Sequence, residues 1–197
     1  LLRSRFPVRL YQHRANSHGE TMMRWLTPFH ILCYYTAWFA CILSAGAENP
    51  WLGPLITLPL VFIQWLVQRS QRDTKGIYTF IVMSCFFGIV IDTLLLRTGL
   101  ITFSANKWPG FMTPPWMITL WLSFAALVFF CLRNFFQRYL LAGILSAIGF
   151  PLAYYAGAHF HSATIRHPFF SLFILGLLAG LGIPALLFTF NKLGDKI

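Results

Sequence analysis

The sequence has few charged residues, and acidic residues are the scarcest of them. Charged residues make up 10% of the 197 residues and only five are acidic, whereas about 25% are charged in an average soluble domain. Hydrophobic residues make up 57%, and the mean hydropathy is +0.66. This composition excludes an ordinary soluble domain and predicts an integral membrane protein.

The chain also lacks the basic surface patch of a nucleic-acid-binding protein. Its formal net charge is +10, but the Lys and Arg residues stand in short clusters between long apolar runs. Such clusters are typical of the loops that orient a membrane protein in its bilayer. We therefore expect the lipid bilayer as a partner, with a lipid or small molecule as a candidate ligand, and no nucleic acid.

No cysteine pair has the spacing of a thiolate metal site or a redox motif. The four cysteines all lie in apolar runs: Cys33, Cys41, Cys85 and Cys131. No HExxH-type motif is present in the sequence either. Free cysteine is commonly buried as a small hydrophobic residue, so we predict buried thiols, no metal site and no cofactor.

Six segments are long and apolar enough to cross a membrane, for which roughly 20 residues are needed. They are residues 28–47, 51–68, 77–96, 115–132, 139–158 and 169–190. Because backbone polar groups in lipid must be hydrogen-bonded internally, we predict helices throughout, in an all-α polytopic bundle of six transmembrane helices. This single domain spans residues 28–190.

The segments outside this domain are polar. We expect residues 1–27 to form a basic, disordered tail, of which residues 1–21 are either a cytoplasmic extension or a stretch upstream of the true translation start. Residues 191–197 are expected to form a short cytoplasmic C-terminal end.

Basic residues are distributed unevenly between the two sides of the spans. Of the 15 Lys and Arg residues, twelve fall in the terminal segments and in the second and fourth loops, and three fall on the other side. The positive-inside rule therefore predicts that both termini are cytoplasmic. An even number of spans also requires both termini on one side, so the two inferences agree.

With this orientation, the residues able to do chemistry gather at the outer end of the bundle. Asp92 lies in the third span, in an otherwise apolar run, and ionisable residues inside spans are costly and commonly functional. The candidate functional cluster consists of Asp92, Trp116, Trp121, Tyr154, His159 and His161. We predict that Asp92 faces the bundle interior close to Trp121, the deeper tryptophan, and to Tyr154.

Members of this cluster also have structural explanations. If the role of Asp92 is only structural, its carboxylate pairs with Arg97 or caps a helix end. The tryptophans and tyrosines suit the aromatic belt at a membrane interface. Because Trp116 and Trp121 are about 140° apart on a helix, we expect one to belong to the belt and Trp121 to line the bundle interior.

The histidines have little support from the sequence as metal ligands. His159 and His161, with His167 downstream, supply imidazoles, the commonest metal ligands. A zinc site needs three or four ligands in tetrahedral arrangement, and the spacing does not support one. His30, near the inner start of the first span, is expected to lie at the membrane interface.

Glycine and proline positions predict how helices pack and bend. Gly176 and Gly180 have the GxxxG spacing, and Gly143 with Ala147 repeats the small-xxx-small pattern. Such positions let helix backbones approach closely, and we expect this contact within the chain. Four prolines are expected to bend their helices: Pro54, Pro59, Pro151 and Pro184.

The stretches "PPWMITLWLSFAALV" and "AGILSAIGFPLAYYAGA" resemble the paired signature of an uncharacterised bacterial inner-membrane family, the domain of unknown function numbered 2878. The matching positions are Pro114 or Pro115, Trp116, Leu120, Trp121, Phe124, Ala125, Pro151, Leu152, Ala153, Tyr154 and Gly157, with Asp92 upstream. Phe150 stands where the family pattern has a second Gly. The resemblance covers roughly residues 28–190 and implies a small multi-span protein of unassigned activity, in a setting of membrane-lipid modification genes; it transfers no catalytic residue.

Three functions follow as hypotheses. The first is an accessory, non-enzymatic protein of membrane-lipid or envelope processes, which agrees with the lack of a catalytic motif. The second is a small secondary transporter with Asp92 as a proton or cation site. The third is a membrane-embedded enzyme that uses Asp92 with His159 or His161 as an acid–base pair. The oligomeric state and the substrate are left open.

Overall fold

In the computed structural model the chain forms a bundle of six long helices. The structure describes residues 8–69, 76–108, 110, 112–132 and 138–194, and of residues 8–24 the backbone alone. The helices are α1 Val8–Gly46, α2 Leu52–Arg69, α3 Ile77–Arg97, α4 Pro115–Leu127, α5 Tyr139–His159 and α6 Pro168–Gly194, and a π-helical turn, Val128–Leu132, continues α4. Each helix, with α4 taken together with its π-helical turn, contains a stretch long and apolar enough to cross a membrane, within three residues of a predicted span. The prediction of an all-α, six-span bundle is confirmed.

The first helix is longer than its predicted span. Its backbone is helical from Val8, whereas the composition of residues 1–27 predicts a disordered tail. A formed span supplies the costly helix nucleus, so further residues add easily at its end, and residues 8–27 contain no proline. Residues 1–7 lie outside the described residues, and the translation start stays a prediction.

The central helix of the bundle is α4. Buried residues make up 61% of its span, against 22% to 33% in the other five. It packs against α1, α2 and α3; α3 packs in turn on α6, and α6 packs on α5. Ala125 and Ala126 are completely buried, and such small side chains let neighbouring helices approach α4 closely. Helix α5 therefore joins the bundle mainly through α6.

Two short strands connect the loops at one end of the bundle. Strand β1, Ile101–Phe103, pairs antiparallel with β2, Ala163–Ile165, with Thr102 opposite Thr164. Both strands lie between spans, where the constraint on lipid-embedded backbone does not apply, so they do not contradict the prediction of helical spans. We call the two strands the ribbon and this end of the bundle the ribbon end. It is the end predicted to face outward, and that orientation stays a prediction.

Glycines and a proline hold α5 and α6 together. A Cβ at Gly176 would lie 2.8 Å from the Ala147 carbonyl oxygen, and one at Gly143 would lie 2.8 Å from that of Gly180. Pro151 completes the contact, with its Cγ 3.3 Å from the position of a Gly176 Cβ. The predicted small-residue contact within the chain is confirmed, and we call it the glycine seam.

The other prolines are accommodated without ending their helices. Pro59, Pro151 and Pro184 lie inside α2, α5 and α6. Pro54 lies in the first turn of α2, where a missing N–H removes no helical hydrogen bond. The predicted bends stay predictions.

Candidate functional site

Asp92 is completely buried where α3, α4 and α5 meet. Its exposed fraction is 0%, and each carboxylate oxygen accepts a hydrogen bond from a different helix. Trp121 of α4 donates from its indole Nε1 over 2.8 Å, and Tyr154 of α5 donates from its hydroxyl. The predicted placement of Asp92, facing the interior beside Trp121 and Tyr154, is confirmed.

These hydrogen bonds offset the free-energy cost of burying a carboxylate in this position. An Asp at the centre of a span costs about 2.5–3.5 kcal/mol on insertion scales, and a hydrogen bond to a charged group contributes about 1.5–3 kcal/mol. Two such bonds are therefore large enough to offset the cost. Asp92 in this way links α3 to both α4 and α5.

Gly88 has no side chain and so leaves room for the Trp121 ring against α3. A Cβ at Gly88, one turn before Asp92, would lie 2.2 Å from that ring, so the ring occupies the space that any other side chain would need. On another side the indole stacks on Phe150, with 5.1 Å between ring centroids. Phe150, which departs from the family pattern, is thus part of the packing that positions Trp121.

A cavity of about 260 Å³ lies beside this site, between α1, α4 and α5. Its walls are mainly aromatic and aliphatic and include Tyr34 and Trp38 of α1, Trp121 and Phe124 of α4, and Gly149 and Tyr154 of α5. Asp92 does not line the cavity, because Trp121 and Tyr154 lie between the two. We call this cavity the cleft.

The cleft is closed at the ribbon end and opens sideways. Phe103 and Ala163 of the ribbon line it and are buried. On α5, Leu145 lines the cleft although it is 43% exposed. Gly149 is also exposed, and apart from its chain neighbours and the backbone of its own helix, no atom of the described residues lies within 4 Å of where its Cβ would be. These two exposed residues mark an open side of the cleft, and the sides of a transmembrane bundle face hydrocarbon.

Trp116 lies inside the bundle rather than in an aromatic belt. It is 1% exposed, and its indole Nε1 donates to the Ser104 carbonyl oxygen over 3.1 Å. Both Trp116 and Trp121 line the cleft, because α4 presents a broad face to it, so the expectation that one of them belongs to the belt is wrong. Trp51 and Tyr155, each 59% exposed, keep the belt interpretation.

The histidines of the predicted cluster are not brought to Asp92. His159 and His161 are exposed at the end of α5 and do not line the cleft. His161 has a left-handed backbone, φ 60°, and its carbonyl oxygen accepts a hydrogen bond from the Ser104 hydroxyl over 2.7 Å. Within the described part of the chain, no group of three or more His, Cys, Asp or Glu residues is placed to hold a metal ion.

A second buried polar cluster, which the sequence analysis does not predict, lies at the opposite end of the bundle. His30 is 1% exposed, so the expectation of an interfacial His30 is wrong. Its Nε2 lies 3.2 Å from Gln68 Oε1, and the Gln64 amide donates to the His30 carbonyl oxygen over 3.2 Å. The His30 ring stacks on Phe130 of the π-helical turn. A sequence signal exists: Gln64 and Gln68 stand four residues apart in an apolar span, hence on one helix face.

Residues 27–185 match the model of a family described as "Protein of unknown function (DUF2878)". No curated protein and no solved structure matches the chain. The matched range contains Asp92, Trp121, Tyr154 and all the residues that line the cleft, and it covers most of the sequence. The chain therefore belongs to the DUF2878 family.

Proposed function

We propose that the protein binds the hydrocarbon part of a membrane lipid in the cleft, in an accessory and non-enzymatic role in membrane-lipid or envelope processes. The observation that carries this proposal is the cleft itself: an apolar, aromatic-walled cavity in a membrane bundle, whose lining includes the exposed residues Leu145 and Gly149. Asp92 serves the cleft indirectly, because it holds the wall residues Trp121 and Tyr154 in place.

The size of the cleft indicates how much of a lipid it takes up. Its volume of about 260 Å³ exceeds the roughly 150 Å³ of a cavity that holds benzene. It is smaller than the roughly 300–1,000 Å³ of pockets that enclose drug-sized ligands. A segment of one chain fits, and the rest of the molecule stays in the bilayer.

The source of affinity differs from that of a soluble lipid-binding protein. Hydrocarbon already surrounds the bundle, so moving a chain from the bilayer into the cleft gives no hydrophobic gain. Binding then depends on close packing against rings such as Trp38, Phe124 and Phe150, and on any hydrogen bond that the wall offers.

The two alternative functions have less support from the geometry. A transporter would need the Asp92 carboxylate on the transport route, but its oxygens are bonded to Trp121 and Tyr154 behind the cleft wall. An acid–base enzyme would need Asp92 within hydrogen-bond distance of His159 or His161. Asp92 is completely buried, whereas both histidines are exposed.

Gly149→Phe tests the cleft as the binding site. The new ring enters the cleft without a backbone clash, because the space around a Gly149 Cβ is open in the described structure. Ile148→Phe is the matched control: it adds a ring on the same helix at a position that is 57% exposed and does not line the cleft.

Native mass spectrometry of the protein extracted from membranes is the measurement. We expect the wild type and Ile148→Phe to retain a lipid adduct and Gly149→Phe to lose it. Equal adducts on all three proteins, or none on the wild type, would contradict the proposal.

We further propose that the protein lies in a bacterial inner membrane with both termini cytoplasmic and the ribbon end periplasmic. Its support is the charge distribution, twelve of 15 basic residues on one side. Reporter fusions after Ile197 and in the loop at residues 159–168 test it. A periplasmic C-terminus would reverse the orientation.

A further inference from the structure

We propose that the lipid bound in the cleft carries a hydroxyl on its hydrocarbon part, and that the Tyr154 side-chain oxygen accepts a hydrogen bond from it. This inference rests on the proposed function, since it names the chemical class of ligand for the same site. It is carried by the hydrogen bonds of Asp92 and by the distribution of polar groups on the cleft wall.

The hydrogen bonds of Asp92 fix which way the Tyr154 hydroxyl points. An indole N–H can only donate, so Trp121 occupies one carboxylate oxygen as a donor. Tyr154 donates its hydroxyl hydrogen to the other oxygen. The remaining hydrogen-bonding capacity of Tyr154 is therefore its oxygen lone pair, and Tyr154 lines the cleft. It presents an acceptor to a ligand.

The rest of the cleft wall admits a neutral polar group and no charge. Among the described residues, no Lys, Arg, His, Asp or Glu lines the cleft, and an ion buried there without a partner would be costly. Tyr34 lines the cleft from the α1 side, opposite Tyr154 of α5. Ser146 also lines it. A hydroxyl placed in the cleft donates to Tyr154, and the hydroxyl-bearing residues Tyr34 and Ser146 line the same cleft.

Asp92→Asn is expected to reverse this preference. Trp121 can only donate, so the new amide must turn its oxygen toward Trp121 and its NH₂ toward Tyr154. The NH₂ then donates to the Tyr154 oxygen, and the Tyr154 O–H is released to point into the cleft. The wall changes from an acceptor to a donor, which favours a ligand carbonyl over a ligand hydroxyl.

The test uses three probes of one carbon skeleton: a long-chain secondary alcohol, the corresponding ketone and the parent alkane. Binding to the purified protein is measured by displacement of the retained lipid in native mass spectrometry. For the wild type we expect the alcohol to bind about tenfold more tightly than the alkane and more tightly than the ketone, as one added hydrogen bond implies. Asp92→Asn should exchange the alcohol and the ketone in this order.

Two further variants keep the test decisive. Tyr154→Phe should bring the alcohol and the alkane to equal affinity, and it replaces Asp92→Asn if that variant does not fold. Tyr155→Phe, at a neighbouring phenol that is 59% exposed and does not line the cleft, should leave the order unchanged. Equal binding of all three probes to the wild type, abolished by Gly149→Phe, overturns this inference and leaves the lipid-binding function standing. Binding of no probe, or binding insensitive to Gly149→Phe, overturns both.

Discussion

The two faces of α5 differ in how closely they meet their neighbours. Toward α6, a Cβ at Gly176 would lie 2.8 Å from a carbonyl oxygen of α5. Toward α1 and α4 the helix stands away and the cleft fills the space, with Gly149 facing an opening. Glycine occurs on both faces, so glycine alone does not decide the contact. The partner decides it: α6 offers Gly176 and Gly180, whereas α1 and α4 offer rings such as Trp38 and Phe124.

On the open face of α5, toward α1 and α4, specific contacts must keep the aromatic rings from turning into the cleft. Trp121 is held between Gly88 and Phe150 and hydrogen-bonded to Asp92, which also holds Tyr154. The cleft is therefore a built cavity, in which a buried carboxylate fixes two of the wall residues. The following variants test the packing of one face or the other, in order of decreasing expected effect.

Gly176→Leu should have the largest effect, because it acts on the glycine seam. The new side chain would meet the Ala147 carbonyl oxygen, which belongs to the backbone and cannot move aside cheaply. Overpacking costs about 1–3 kcal/mol or more. We expect loss of monodisperse protein in size-exclusion chromatography, and a variant as stable as the wild type would show that the seam is not tightly packed.

Asp92→Leu should destabilise the open face by about 1–3 kcal/mol. The Trp121 indole N–H would be left buried without an acceptor, and an unsatisfied buried donor costs about that much. The Tyr154 hydroxyl loses its acceptor as well but can turn toward the cleft. Thermal unfolding in detergent measures the change. An unchanged midpoint would mean that Asp92 does not position the wall.

Trp116→Phe should cost about 1 kcal/mol, because it keeps the ring and removes one hydrogen bond. The bond that is lost joins the indole Nε1 to the Ser104 carbonyl oxygen next to the ribbon. Hydrogen exchange should then be faster at the amides of β1 and β2 than in the wild type. Unchanged exchange there would show that Trp116 does not stabilise the ribbon.

Gly149→Ala should have the smallest effect, and the opposite sign. A Cβ at Gly149 meets no described neighbour within 4 Å, and Ala is favoured over Gly inside a helix by up to about 1 kcal/mol. We expect a slightly raised unfolding midpoint, while the same substitution at Gly176 lowers it. A lowered midpoint for Gly149→Ala would contradict the open face.

The sequence predicts much of the Asp92 site, because a carboxylate in an apolar run is rare and its partners follow from helix direction. Asp92, Trp121 and Tyr154 all fall at the same depth once the spans are aligned, and the structure brings them together. The role of Gly88 does not follow, because a single glycine carries no sign of the ring that covers it. His30 is missed as a buried residue for a similar reason: its position near a span end resembles that of an interfacial residue.

The ribbon and the cleft are beyond what the sequence pattern can predict. Each strand has three residues, too few for a periodic signal, and the two pair across more than 60 residues, Ile101 with Ile165. The cleft depends on where helices fail to touch. Apolar periodicity indicates which face of a helix is buried, but it does not indicate how far that face lies from the neighbouring helix.

The most direct test of the account is an experimental structure of the protein in lipid nanodiscs. We predict elongated density in the space between α1, α4 and α5, entering beside Gly149 and ending near Tyr154, with the Asp92 hydrogen bonds to Trp121 and Tyr154 intact. A structure in which α5 closes against α1, so that side chains fill the space beside Gly149 and no lipid density is present, would contradict it.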